Sequence, residues 1–430
     1  MNDKITTEQS QRAGELDPEF NGGEILVLPG TDATDVAIAP QGRIYVVGGT
    51  ELWDSKYIIS GLNPDGTFDR FFNGGVPVTN VFLPGFPAVA ENVLVLPDGK
   101  VLILGRVVGE EGYMFGLARY HPDGMPDLSF GVNGTAVPTY EFDGVEMSKD
   151  DSAVKDKASR YLDTDSVSLF EHDGRIYIAG RGKVRIDNKV VTLLMCLDEA
   201  GNLVQAFGNK GAVVVAHPEY HVNTRQILVA NGYIYLAGFI QAPRGNHRTW
   251  VRLHMDGRLD LAFGLDGFVF EINEDYSSWG NFMRVVLQNN LKILGVGSGV
   301  NVATFVYEGL LASIDKEGGK DSDFNGGEPV LTHMDDTRSG WQDGSIQRNG
   351  YIVTCGTAGD LDVEDLVVGR YLPNGDLDVT FGSNDGWTRI DVKDWVYRAA
   401  LAIQPDNGIV VTGRYVRDRI STPFVLRLKG

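Results

Sequence analysis

LDPEFNGG (Leu16 to Gly23), FDRFFNGG (Phe68 to Gly75), PDLSFGVNG (Pro126 to Gly134), LVQAFGNKG (Leu203 to Gly211), LDLAFGLDG (Leu259 to Gly267), KDSDFNGG (Lys320 to Gly327) and LDVTFGSNDG (Leu377 to Gly386) are seven copies of one phrase. They recur about every sixty residues, in the range where internal repetition means propellers, solenoids or arrays. The length of 430 residues alone would suggest two or three domains. Repeats that supply the modules override that prior.

Between successive phrases the same four strand signals recur in order. In the second repeat AENVLVL (Ala90 to Leu96) passes through Pro97-Asp98-Gly99 into KVLILG (Lys100 to Gly105), and a variable loop leads to FGLARY (Phe115 to Tyr120). His121-Pro122-Asp123-Gly124 and the Phe130 phrase then lead to TAVPTYEF (Thr135 to Phe142). Short alternating strands with glycine turns make an antiparallel sheet, and seven such sheets packed round an axis make a propeller. The first strand recurs as DVAIAPQG (from Asp35), SVSLFEHDG (from Ser166), RQILVANG (from Arg225), FMRVVLQNN (from Phe282), SIQRNG (from Ser345) and ALAIQPDNG (from Ala400). The fold class is therefore all-β, a seven-bladed β-propeller of four-stranded blades.

The two ends complement each other. FVLRLKG (Phe424 to Gly430) stops where other repeats continue into the phrase, and ELDPEFNGGEILVL (Glu15 to Leu28) supplies the missing piece. An N-terminal strand closing the last blade removes an exposed edge. Residues 1–14 are expected to be a disordered lead-in, and 15–430 one propeller domain. A charged insertion at about 143–165 reads as a surface excursion with a possible helical turn.

PDGKVLILG, FGLARYHPDG and LDLAFG resemble the delta-60 repeat, a bacterial β-propeller repeat, over essentially all of residues 15 to 430. The resemblance implies the fold and no general enzyme chemistry or cofactor. Cofactors thus stay unassigned.

Composition narrows the partners. A formal charge of −20, with Lys and Arg thinly spread, disfavours nucleic acid. No run of eighteen apolar residues suggests membrane insertion, and the first residues carry no signal-peptide pattern. The compartment stays open between cytoplasm and export without such a signal, and the oligomeric state is unassigned. Cys196 and Cys355 lie in apolar runs and read as buried thiols.

Several apparent sites dissolve on inspection. Asp321, Asp323, Asn325 and Gly326 imitate a calcium loop, but Thr332 stands where the bidentate Glu is required. His217 and His221 have metal-like spacing only on a helix, and Pro218 lies between them. No catalytic template or metal framework is present, so no catalytic or metal residue is assigned. The phenylalanine of each phrase is expected to plug the gap between blades. Its aspartate, three residues earlier, is expected to cap the following turn.

In an antiparallel meander successive loops alternate between the faces of the ring. The repeated turns share one face, and the loops that differ share the other, where function belongs. That variable face is rich in aromatic groups. His221, Trp279 and Trp395 fall at matching positions in blades 4, 5 and 7, and Trp53, Tyr220, Arg244, Tyr276 and Trp341 lie in neighbouring connections. Aromatic faces stack on sugars or peptide side chains, and adjacent Asp, Asn and Arg orient them. The expectation is a non-enzymatic binding or scaffold propeller that takes a glycan or protein ligand through these eight residues. The alternative is a propeller hydrolase or lyase with carboxylates and a divalent ion at the channel mouth.

Overall fold

The computed structural model describes residues 12–50, 55–109, 112–140, 145–147, 167–184, 189–243, 245–272, 279–301, 303–334, 338–360, 364–392 and 394–430. Seven antiparallel sheets form a seven-bladed propeller. Blade 4 shows the pattern: inner strand His221–Ala230, then Tyr233–Ala242, Gly245–His254 and the outer Phe268–Val269, each paired with the next.

The last blade is closed by the N-terminal strand. Leu26 and Val27 pair with Val425 and Phe424, outside Ile420–Leu428. The clasp reaches further back than Glu15. Gly14 donates to the Lys429 carbonyl at 2.8 Å, and Ala13 accepts from Gly382 N at 2.9 Å. Gly14 has φ +91°, matching Gly66, Gly124, Gly201, Gly257, Gly318 and Gly375 in the turns of the other blades, with φ between +86° and +92°. Arg12-Ala13-Gly14 thus stands in for the PDG turn of blade 7, at a backbone conformation that favours glycine. The expected lead-in boundary at residue 14 falls inside this turn; residues 1–11 lie outside the described residues.

The repeated phrase is a lock between blades. All seven phenylalanines are at most 2% exposed. Phe20, Phe72, Phe130, Phe207, Phe263 and Phe324 each pack on the turn glycine of the next blade, and Phe381 packs on Gly14. Burying each side chain contributes roughly 1.5–3 kcal/mol. The aspartates accept from the backbone two residues on, as in Asp69 from Phe71 N at 2.9 Å and Asp378 from Thr380 N at 3.0 Å.

The other aspartate oxygen has a role the sequence reading did not foresee. Arg119, Arg252 and Arg370 stand eight residues before Asp127, Asp260 and Asp378, and each guanidinium binds its carboxylate at 2.7 Å. Each also lies over the phenylalanine of its phrase, 4.6 to 4.8 Å from the ring centroid. Arg119 and Arg252 reach on to the carbonyls of Glu199 and Lys316 in the next blade. Across the clasp, Arg427 holds Asp17 at 2.6 Å. Buried charges are tolerated here because each is paired and hydrogen-bonded.

Blade 3 departs from the pattern. Its inner position is shared by Val145–Met147, opposite Gly182–Val184, and Ser168–His172, opposite Arg175–Ala179. The charged insertion enters the inner strand itself. Residues 148–166 lie outside the described residues, as does the expected helical turn.

Candidate functional site

The inner strands set two levels around the axis. In six blades this strand carries a β-bulge, as between Ala33 and Asp35 or Trp341 and Asp343. An extra residue there re-aims the side chains that follow. Aligned on their second-strand partners, Asp35, Asn92, Ser168, Gln226, Arg284, Asp343 and Ala400 form one ring of equivalent positions.

Asp35, Asn92, Gln226 and Arg284 of this ring line a cavity of about 650 Å³ that draws on the inner strands of all seven blades. The cavity runs to Pro40, Arg348 and Pro405, at the repeated turns, so this axial space lies toward the fixed face. Arg284 binds Asp343 at 3.1 Å and Gln226 at 3.4 Å. A third of its side chain is accessible, into the channel, although protein surrounds it. The attraction of Asp343 raises the Arg284 pKa. Burial lifts the Asp35 carboxyl to about 6, against the pull of Arg284.

The carboxylates of this ring also staple the blades. Asp35 accepts from Val93 N of blade 2 and from Val36 N, both at 2.9 Å. Asp343 accepts from Leu401 N of blade 7 at 2.9 Å and from Gly344 N at 2.8 Å. Ser168 Oγ accepts from Ile227 N of blade 4 at 2.9 Å. Sequence reasoning missed this ring because its residue types differ from blade to blade; the Asp at the start of DVAIAPQG and in DGSIQRNG was the available signal. Among the described residues no group of three or more His, Cys, Asp or Glu is placed to hold a metal ion. Cys196 and Cys355 are buried free thiols.

At the opposite end, His221 pairs with Gln241, Trp279 accepts from Val300 N at 3.2 Å, and Trp395 pairs with Val416. Gln241, Val300 and Val416 each follow by three residues an equivalent second-strand glycine, Gly238, Gly297 or Gly413. The three aromatic residues therefore stand at one level at the start of their inner strands, all partly exposed. At the same level blade 6 presents Arg338, which is exposed.

Their surroundings differ. Trp395 stacks on Tyr397, with ring centroids 5.2 Å apart and planes 11° from parallel. Arg414 lies 5.7 Å from Tyr397 and binds Asp32 of blade 1 at 3.1 Å. The Trp279 indole lies over Gly245, where a methyl group would come within 2.6 Å of it. His221 Nδ1 accepts from Val190 N at 2.8 Å, anchoring its ring to blade 3. Tyr220, partly exposed, stacks on His217 at 4.8 Å and 16°, beside Phe270. Burial pushes the His217 pKa down. Its Nδ1 accepts from Glu219 N and Tyr220 N, at 3.2 and 3.3 Å.

Trp341 corrects the sequence reading. It lies within the strand Arg338–Ile346 and is fully buried. Its Nε1 donates to the Tyr371 hydroxyl at 3.0 Å, and Gly309 and Gly369 make room for the ring. A bulky indole fits this wedge because the facing strands carry no side chain there. Trp250, at the end of the loop QAPRGNHRTW, is likewise buried inside a strand. Trp53, Arg244 and Tyr276 lie outside the described residues.

The family model that matches is "Domain of unknown function (DUF5122) beta-propeller", over residues 96–130. No curated protein matches the sequence. Among solved structures, the β-propeller domain of the Trilobed protease from Pyrococcus furiosus is similar at 11% identity and a TM-score of 0.47, covering 92% of this chain and 94% of that one. Polysaccharide lyase Uly1 is similar at 10% identity and a TM-score of 0.45, covering 99% and 94%. The neuraminidase-like protein of A/little yellow-shouldered bat is similar at 9% identity and a TM-score of 0.41, covering 97% and 98%.

Proposed function

We propose that this chain is a non-enzymatic propeller of the delta-60 repeat kind that holds a glycan on its variable face. The observation that carries this reading is the level of partly exposed aromatic groups at His221, Trp279 and Trp395, on the face whose loops differ between blades. The stacked Trp395–Tyr397 pair offers a flat platform, and Arg338, Arg414 and Asp32 supply charged hydrogen-bonding groups nearby. Sugars combine apolar ring faces with hydroxyl edges, which suits such a mixture. Tyr220 adds a further partly exposed ring, stacked on His217 beside Phe270 of blade 4.

A glycan array is the direct test, run on the chain and on a Trp279→Ala/Trp395→Ala double variant. Binding that disappears in the variant, with an unchanged melting temperature, supports the proposal. An array without signal, beside a pull-down that captures a protein segment through the same tryptophans, would replace glycan by peptide.

One observation favours a second reading, a hydrolase or lyase working in the channel: the Asp35 carboxyl, lifted to about 6, is suited to proton transfer near neutral pH. Against it, both Asp35 oxygens already accept backbone N–H groups. Release of reducing ends or unsaturated products from a polysaccharide panel, lost in Asp35→Asn, would establish that reading over the first.

A further inference from the structure

The outer wall of the ring carries a second site, apart from the variable face. A groove of about 750 Å³ crosses the outer strand of blade 2, where Thr135 and Ala136 pair with Ala118 and Leu117. Asn80 and Pro84 at the end of blade 1 also line it, as do Gly201 and Gln205 in the turn of blade 3. Its volume falls in the range of roughly 300–1,000 Å³ usual for ligand sites.

Internal repetition shows what sets this groove apart. Blade 4 has Phe268, Val269 and Phe270 where blade 2 has Thr135, Ala136 and Val137, and the matching space between blades 4 and 5 measures about 200 Å³. Smaller side chains open the wall across blade 2. Charge is lost along with bulk. Glu271 and Lys320 line the smaller space, and the matching residues of the larger one are Pro138 and Leu203. Asn133 likewise replaces Asp266, both at a left-handed backbone position, with φ +54° and +50°. No residue lining the groove is ionisable, although 22% of the chain is charged and its net charge is −20.

The lining selects a ligand. Asn133, Asn202 and Gln205 bring exposed amide side chains to it. The Asn133 side chain takes part in no hydrogen bond among the described residues. Gln205 commits one amide hydrogen, to the Leu203 carbonyl at 3.3 Å. Asn202 lies 3.4 Å from Asp198, whose carboxylate also accepts from Ala200 N and Asn202 N at 3.0 and 2.9 Å. An amide both donates and accepts, as a sugar hydroxyl does. Val132, 74% exposed, adds apolar surface. Amides beside apolar surface, without charge, match a neutral sugar chain. A peptide added as a further strand fits less well, because Pro138 has no N–H to offer it.

We propose that the groove across blade 2 is a second binding site that takes an uncharged oligosaccharide, with Asn133 and Gln205 hydrogen-bonded to its hydroxyls and Val132 against a sugar ring face. The site does not depend on what the variable face holds. A uronate chain of the same length would bring carboxylates to a lining without a cation, and burying an unpaired charge is costly.

The test is a titration of the full ¹⁵N-labelled chain with maltohexaose, cellohexaose and xylohexaose, and with hexagalacturonate as the charged comparison. Asn133→Asp, which copies blade 4, identifies the Asn133 side-chain amide signals by their loss. The expected result is a saturable shift of those signals with at least one neutral hexasaccharide, an affinity about tenfold weaker in Asn133→Asp, and no shift with hexagalacturonate. The shift should persist in the Trp279→Ala/Trp395→Ala variant, which separates this site from the variable face. If Asn133→Asp fails to fold, Asn133→Gly takes its place. Absence of a saturable shift with all three neutral sugars, an equal shift with hexagalacturonate, a shift lost in the tryptophan variant, or decaproline moving the signals in place of the sugars overturns the proposal.

Discussion

The two faces of the ring carry the same residue types in opposite arrangements. On the repeated-turn face Arg, Asp and Phe occur together and interlock: Arg119 holds Asp127 and lies over Phe130. On the variable face Trp395, Tyr397, Arg414 and Asp32 lie close together without that geometry, and Trp279 and His221 sit in settings of their own. In a repeat protein the feature that recurs in every module is the one that holds modules together. A residue free to differ is free to meet a ligand.

The difference can be broken at its strongest point first. Deleting residues 1–28 should remove the clasp, including buried Phe20 and the pairing of Leu26 with Val425. The loss should exceed the 3–5 kcal/mol or so typical of one buried Phe truncated to Ala, read as a collapse of the melting transition. An unchanged melting temperature would refute the closure. Next, Trp341→Ala should cost roughly 3–5 kcal/mol, whereas Trp395→Ala, at a partly exposed position, should cost about 1 kcal/mol or less. Urea unfolding of the two variants distinguishes framework tryptophan from face tryptophan; equal losses would erase the distinction.

Charge provides a finer comparison. Burial opposes ionisation of Asp127, but hydrogen bonds from Ser129, Arg119 and Lys100 outweigh it and hold the carboxyl well below the usual range. Its stabilisation is present above the unfolded pKa of about 3.9 and is lost as pH falls toward the folded value. Asp127→Asn should therefore destabilise by roughly 3 kcal/mol at neutral pH, and by much less in acid. Asp35 has the opposite sign. Its folded pKa is raised to about 6, so the stability it contributes is fully present below the unfolded value and lost as pH rises through 6. Relative to the parent, Asp35→Asn should gain stability between about pH 4 and pH 7, measured as a melting-temperature difference. A difference that moves the other way would mean Asp35 is held charged.

The phrase at Leu259 to Gly267 and its six copies made the blades and their closure legible, because a glycine turn and an alternating strand signal depend on neighbours in the chain. Trp341 was misplaced for the complementary reason. Its burial depends on Gly309 and Gly369, which approach it only through the fold. The polar ring of Asp35, Arg284 and Asp343 escaped notice because its members share a level and no residue type. His221, Trp279 and Trp395 could be aligned by counting because each stands five residues before its blade's ring position. What each aromatic group touches could not be counted, since Gly245 and Val190 belong to neighbouring blades.

The clasp also imposes an order on folding. Leu26 is synthesised about 400 residues before its partner Val425, which at roughly 5–20 residues per second is a wait of about 20–80 s. During that interval six blades can assemble in sequence, each locking its Phe against the next turn. The first segment made must meanwhile stay unpaired, as an open strand edge. Ring closure is the contact of greatest sequence separation and the last available to the chain, so it is the natural slow step of folding and the point where pairing with a second molecule would compete.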